Sequence, residues 1–139
     1  MVKSFVLFVS IMLICSTSYA QTDIKPYKID SVLSKCIGKN NSDPGMSDCL
    51  QKAESNWDKE LNKYYKLLLT KLDSVGQKNL RESQREWIVY KDKEVNFFSE
   101  VFSKKDGTMW NLLIADKRMQ IIRQRAIELS DYYETLTQN

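Results

Sequence analysis

The sequence contains no histidine. Without imidazole there is no Ser-His or Cys-His nucleophile pair, no histidine general base, and none of the ligands on which most zinc and di-iron sites depend. Proline and glycine are scarce, two and four residues in 139, so few points interrupt regular structure. Charge of one sign is also missing. Lys and Arg number 21 against 18 Asp and Glu, a net +3 with no dense basic block. That balance lacks the electrostatic footprint of a nucleic-acid-binding protein. The length suits one small domain.

Long apolar runs are absent beyond the first twenty residues. There, Lys3 precedes an apolar stretch from Phe5 to Ile14, and Ser18-Tyr19-Ala20 has the small-x-small form of a cleavage site before Gln21. This pattern reads as a secretory signal peptide, too short to span a bilayer comfortably. Cys15 follows Ile14 and not the small residue that a lipid-anchored leader places there, so no stable membrane anchor is expected. The mature protein then begins at Gln21 and resides in the periplasm or outside the cell. Two cysteines remain, Cys36 and Cys49. An even number in an exported chain points to a disulfide, and the spacing is not the Cys-x-x-Cys of redox catalysis.

What is present is helical periodicity. Residues 21–35 are polar around Pro26, with a short helix expected from about Ile29 to Cys36. Gly38 to Gly45 carry turn chemistry, enclosed by the two cysteines. Met46, Leu50, Ala53, Trp57, Leu61, Tyr64, Leu68 and Leu72 then step by three or four and draw one apolar stripe. Asp43 or Ser47 is placed to cap that helix, with Pro44 in its first turn, and Ser74 with Gln77 has capping-box spacing for the next. The second long segment carries Leu80, Gln84, Trp87, Tyr90 or Lys91, Glu94 or Val95, Phe98 and Val101-Phe102. After the polar turn 103–107, Thr108 caps a third helix with Met109, Leu112 or Leu113, Met119, Ile122, Ala126, Leu129 and Tyr133 on its face. The expected fold is all-α: a small antiparallel bundle of three long helices plus a short N-terminal helix, stapled by one disulfide. The helical domain spans 36–133 and the tail 134–139 frays.

Polar residues interrupt these stripes. Asp58, Asn62 and Tyr65 stand at i, i+4 and i+7; Gln84, Lys91 and Asp92 surround Trp87; Arg125 lies among Ile121, Ile122, Ala126 and Leu129. Two readings are open. The polar set forms a binding groove, or it joins the helices through pairs such as Asp58 or Asp92 with Arg125. A second cluster lies at one corner, where Phe97-Phe98, Val101-Phe102 and Met109-Trp110 gather large apolar groups. Phe102, Met109 and Trp110, with the acids Asp43, Asp48 and Asp106, make a partner-binding patch expected there. Acidic pairs on facing helices have no spacing that singles out one acid and one base, so no catalytic residue, metal or cofactor is expected.

The ordered series Asp58-x-x-Leu61-Asn62-x-x-Tyr65, Leu80-x-x-x-Gln84-x-x-Trp87-x-x-x-Lys91-Asp92 and Arg125-x-x-x-Leu129 resembles the LprI-like family, small exported helical domains named after a mycobacterial lysozyme inhibitor. Cys36 and Cys49 match the family's N-terminal pair. Where the family often has Arg-Asp-x-x-Cys, this chain has Lys91-Asp92-Lys93-Glu94-Val95, and Lys117 or a neighbour replaces the partner cysteine, so both members of a second disulfide are missing. Lys91 also lacks the planar fork of an arginine. The resemblance implies export and inhibition of a lysozyme by occlusion of a protein partner's cleft, with the segment between Cys36 and Cys49 and the corner from Phe102 to Trp110 as contacts. An envelope accessory or immunity-type protein that binds a bacterial protein or cell-wall polymer is the alternative. A structural module without a ligand is the third.

Overall fold

A computed structural model describes residues 27–138; the signal-peptide reading, Cys15 and the Ala20-Gln21 junction fall outside the described residues. Four helices make up the described residues: α1 Lys28–Lys39, α2 Asp43–Lys71, α3 Ser74–Phe102 and α4 Met109–Thr137. No strand occurs among the described residues. The three long helices have 29 residues each, which is about 43 Å at 1.5 Å per residue.

Local chemistry sets the helix ends. Ser42, and not Asp43 or Ser47, caps α2, its hydroxyl accepting from the Gly45 N–H at 3.2 Å. Gly45 is buried against Asn40, whose amide a Cβ there would strike. Asp73 caps α3 in place of Ser74, accepting from the Gly76 N–H at 2.8 Å. The Gln77 side chain then donates to the Leu69 and Leu72 carbonyls at 2.9 and 3.1 Å. These acceptors are otherwise orphaned at the end of α2, so the α2–α3 turn is closed from both sides. Thr108 stands at the start of α4 but makes no cap; its hydroxyl donates to Asp43 instead. Gly107 in that turn has φ +103°, a conformation that side-chain-bearing residues rarely adopt.

Successive helices are antiparallel, so α2 and α4 run parallel, and their facing stripes make the core. Leu50, Ala53, Trp57, Leu61 and Leu68 meet Met119, Ile122, Ala126 and Leu129 there. α4 is central because both α2 and α3 pack on it, while α2 and α3 scarcely touch each other. For that reason α3 departs from its expected role. Gln84 alone is fully buried along it, Leu80 and Trp87 pack partly on the core, and Tyr90 and Val101 are exposed.

Helix α1 buries no residue fully and is longer than its sequence suggested. It is held at two ends. The Cys36–Cys49 disulfide fixes one, and at the other Tyr27 meets Trp57 edge-on with ring centroids 5.3 Å apart. Asp30, three residues on from Tyr27, accepts three charge-assisted hydrogen bonds from Arg123 of α4, the shortest 2.7 Å. Because α2 starts at Asp43, the segment between the cysteines is mostly helix, and only residues 40–42 connect α1 to α2. The open loop expected there as a contact surface is therefore absent. At the other end of the chain α4 runs to Thr137, with the Thr135 and Thr137 hydroxyls donating to carbonyls one turn earlier.

Candidate functional site

The polar series read from the sequence separates into three places. Arg125 and Gln84 are buried together, 8% and 9% exposed, between α4 and α3. The Arg125 guanidinium donates to Gln84 Oε1 at 3.1 Å, to Ser83 Oγ at 3.0 Å and to Glu128 Oε2 at 3.1 Å. Neither Asp58 nor Asp92 reaches it, which corrects the pairing expected above. Glu128, one turn along the same helix, supplies the carboxylate, and the α2 carboxylate that does reach α4 is Glu54, bound to Arg118 at 2.8 Å. Arg125 is thus a clasp for α3.

Asp58 and Asn62 form a second, exposed unit on α2. The Asn62 amide donates to the Asp58 carbonyl at 2.8 Å and to its carboxylate at 3.0 Å. Tyr65 is half-buried against the core. Lys91 on α3 is half-buried and pairs with its exposed neighbour Asp92 at 3.1 Å. Asp58 and Lys91 nevertheless line one open groove between α2 and α3, about 430 Å³, floored by Arg118 and Ile122 of α4. Its acids and bases are matched in number: Glu54 and Asp58 against Lys91 and Arg118.

The third place is the corner. Phe98, Phe102 and Trp110 form a ladder of rings, with centroids 4.5 Å and then 5.3 Å apart, the second pair nearly parallel. Lys117 stands over Phe98 and Lys105 over Trp110, 5.6 and 5.4 Å from the centroids, and Lys117 also pairs with Glu94 at 3.2 Å. The Trp110 indole donates to the Asp106 carbonyl at 2.9 Å. Through Thr108, Asp43 ties this turn to the start of α2. Asp48 is turned elsewhere, to Lys52 at 2.6 Å. The ring ladder itself is packed, but the residue preceding each ring is not. Phe97, Val101 and Met109 are 63%, 44% and 63% exposed, and Leu113 one turn beyond Met109 is exposed with them.

Among the described residues, two groups have clearly shifted proton affinity, and both are cations. The hydrogen bond that Lys63 donates to Glu60 raises it above the ordinary lysine value despite some loss of water, and the bonds that Arg123 donates to Asp30 raise it likewise. Neither releases a proton near neutral pH. No group of acidic or sulfur side chains among the described residues is arranged to hold a metal ion, and no described helix is long and apolar enough to cross a membrane.

Residues 36–129 match the family described as lysozyme inhibitor LprI. The chain belongs to the LprI family. The match takes in the disulfide, the Asp58–Asn62 unit, the Gln84–Arg125 clasp and the corner. A crystal structure of an uncharacterized protein from Burkholderia thailandensis superposes on this LprI chain with a TM-score of 0.75 at 26% identity. The alignment covers 82% of this chain but 57% of that one, so the LprI chain spans a little over half the length of that relative. A search of curated proteins finds no match. Several features of this LprI protein had no local signal in the sequence. Glu54–Arg118 and Asp30–Arg123 join residues 64 and 93 positions apart. Helical spacing leaves Leu112 and Leu113 as alternatives for the core, and the structure leaves Leu113 exposed.

Proposed function

We propose that this LprI-family chain is an exported protein that inhibits a lysozyme or a related cell-wall lytic enzyme by occluding it, with no chemistry of its own. The exposed apolar corner carries this reading. Phe97, Val101, Met109 and Leu113 project beside a ring ladder that is already stacked and tied at both ends. Large apolar side chains left exposed at one corner favour a partner site, and a preformed one loses little freedom on binding. The family supplies the class of partner, and the leader sequence supports export.

Net charge limits how the encounter occurs. Without Lys3 of the leader, residues 21–139 carry a net +2 and are not steered toward a basic lysozyme, so the association rate is expected to change little with added salt. The test is a titration of oxidised residues 21–139 against animal and bacterial lytic enzymes. Stoichiometric inhibition of at least one supports the reading. Inhibition of none at micromolar protein favours the second reading, an envelope accessory protein using the same corner for another bacterial protein, and a pull-down from envelope extracts then identifies it.

A further inference from the structure

Helix α3 leans on α4 along one side and turns a second stripe to solvent. Glu86, Tyr90, Lys93, Phe97 and Val101 step by three and four and so share one face, and Lys104 in the following turn continues it. All six are exposed, and Lys104 reaches back over the last turn of the helix to Glu100 at 3.6 Å. The middle of the stripe is apolar: Tyr90 is 53% exposed, and Phe97 and Val101 follow it. Tyr90 also lines a groove of about 330 Å³ with Trp87 of α3 and Lys117 and Ile121 of α4. A helix laid along the stripe therefore meets apolar side chains of α3 and one wall of α4.

Charge selects the occupant. The stripe is acidic at its start, with Glu82 and Glu86, and basic at its end, with Lys104 and Lys105. A second copy of the same helix, laid antiparallel, brings the acidic start of each onto the basic end of the other. A parallel pairing would set like on like. With the two-fold axis between positions 93 and 94, Tyr90 of each copy stands opposite Phe97 of the other, which makes two ring pairs. Lys104 then falls opposite position 83, within one turn of both Glu82 and Glu86, and Arg85 falls within one turn of Glu100. One like-charge contact remains, because Lys93 lies beside the axis and meets its own copy. The area is modest as well. From position 82 to 104 the stripe is about 33 Å long, and with the α4 wall it offers roughly 500 Å² per copy, short of a permanent dimer.

We propose that this face of α3 is a self-association surface, through which two copies pair antiparallel in a reversible dimer. Phe97 and Val101 belong also to the corner, so the dimer and an occluded enzyme exclude each other. The pairing stands whether or not an enzyme is inhibited, since it rests on the stripe alone.

The test is sedimentation velocity of oxidised residues 21–139 with no enzyme present, from about 5 µM to about 1 mM protein. Expected is a monomer at low micromolar protein and a dimer above it, with a Kd on the order of 100 µM. Tyr90→Glu sets a carboxylate against the opposite Phe97 and is expected to weaken the dimer at least about tenfold. Lys104→Glu, which faces two acids, is expected to weaken it about as much, and adding Glu82→Lys/Glu86→Lys to that variant to restore it. A monomer over the whole range overturns the proposal. So does a dimer that Tyr90→Glu leaves intact, or one that the reversed charges fail to restore, because either places the self-contact on another face.

Discussion

Arg125 Nε donates to Gln84 Oε1 across 3.1 Å, joining α4 to the one fully buried residue of α3. That clasp matters because it is the buried polar link of α3, which otherwise leans on α4 through half-buried contacts such as Trp87, Phe102–Trp110 and Glu94–Lys117. It packs on α4 along one side and presents Val75, Ile88, Val89, Tyr90, Phe97 and Val101 to solvent. Removing the guanidinium leaves Gln84 buried and unsatisfied and strips Ser83 and Glu128 of a partner. Arg125→Ala is expected to destabilise the fold by about 2–4 kcal/mol. Gln84→Ala is expected to be harmful too, since it leaves a buried cation short of one acceptor. Denaturant unfolding of both single variants and the double variant checks this. Strong coupling is expected, with the double variant less destabilised than the sum of the singles.

Reduction of Cys36–Cys49 is expected to cost about 3 kcal/mol, the loop-entropy value for a 13-residue separation. The effect is concentrated on α1, which buries no residue fully and is otherwise anchored near Tyr27 and Asp30. Thermal unfolding with and without reductant should show a fall in Tm of roughly 10 °C or more. Hydrogen exchange should accelerate first in the amides of α1.

The other anchor of α1 has a defined pH behaviour. The bonds to Asp30 raise the pKa of Arg123, so the folded state holds this proton more tightly than the unfolded chain. A raised pKa contributes stability that is fully present below the ordinary arginine value and is lost only above it. Between about pH 7 and 10 the contribution is therefore flat. Asp30→Asn is expected to lower stability by about 1 kcal/mol throughout that interval, the half-exposed setting of the pair keeping the effect modest. Tm differences measured across the interval check both the size and the flatness.

Gly107 sets the geometry of the corner. Its φ of +103° is costly for any residue with a side chain, yet a Cβ there would meet nothing within 4 Å. Gly107→Ala is expected to cost about 1–2 kcal/mol through the backbone alone. Because the substituted methyl touches nothing, a larger loss measured by chemical unfolding would show that the turn itself rearranges.

The sequence reveals the elements more readily than their faces. The α2 stripe is legible because Leu50, Ala53, Trp57, Leu61 and Leu68 keep strict helical spacing and meet one partner, α4. Caps shift by a residue because Ser42-Asp43 and Asp73-Ser74 each place two capping side chains side by side. In both, the first of the two accepts from a glycine N–H three residues on. The α3 pattern suggests a core face that the fold does not bury, since local spacing cannot tell that α3 leans on α4 alone. In the candidate site, the large rings of the corner are visible in the sequence. Which of them stack and which protrude depends on how residues 98, 102 and 110 register across the turn.

Phe97→Ala/Met109→Ala tests the central claim most directly, because both side chains are 63% exposed and contribute little to the fold. The measurement is inhibition of a susceptible lytic enzyme by the variant and by the unmodified chain, with Tm recorded for each. Expected is an unchanged Tm and at least about thirtyfold weaker inhibition, the scale of a lost interface anchor. Full inhibitory strength in a variant lacking both side chains would contradict the account and move the contact away from this corner.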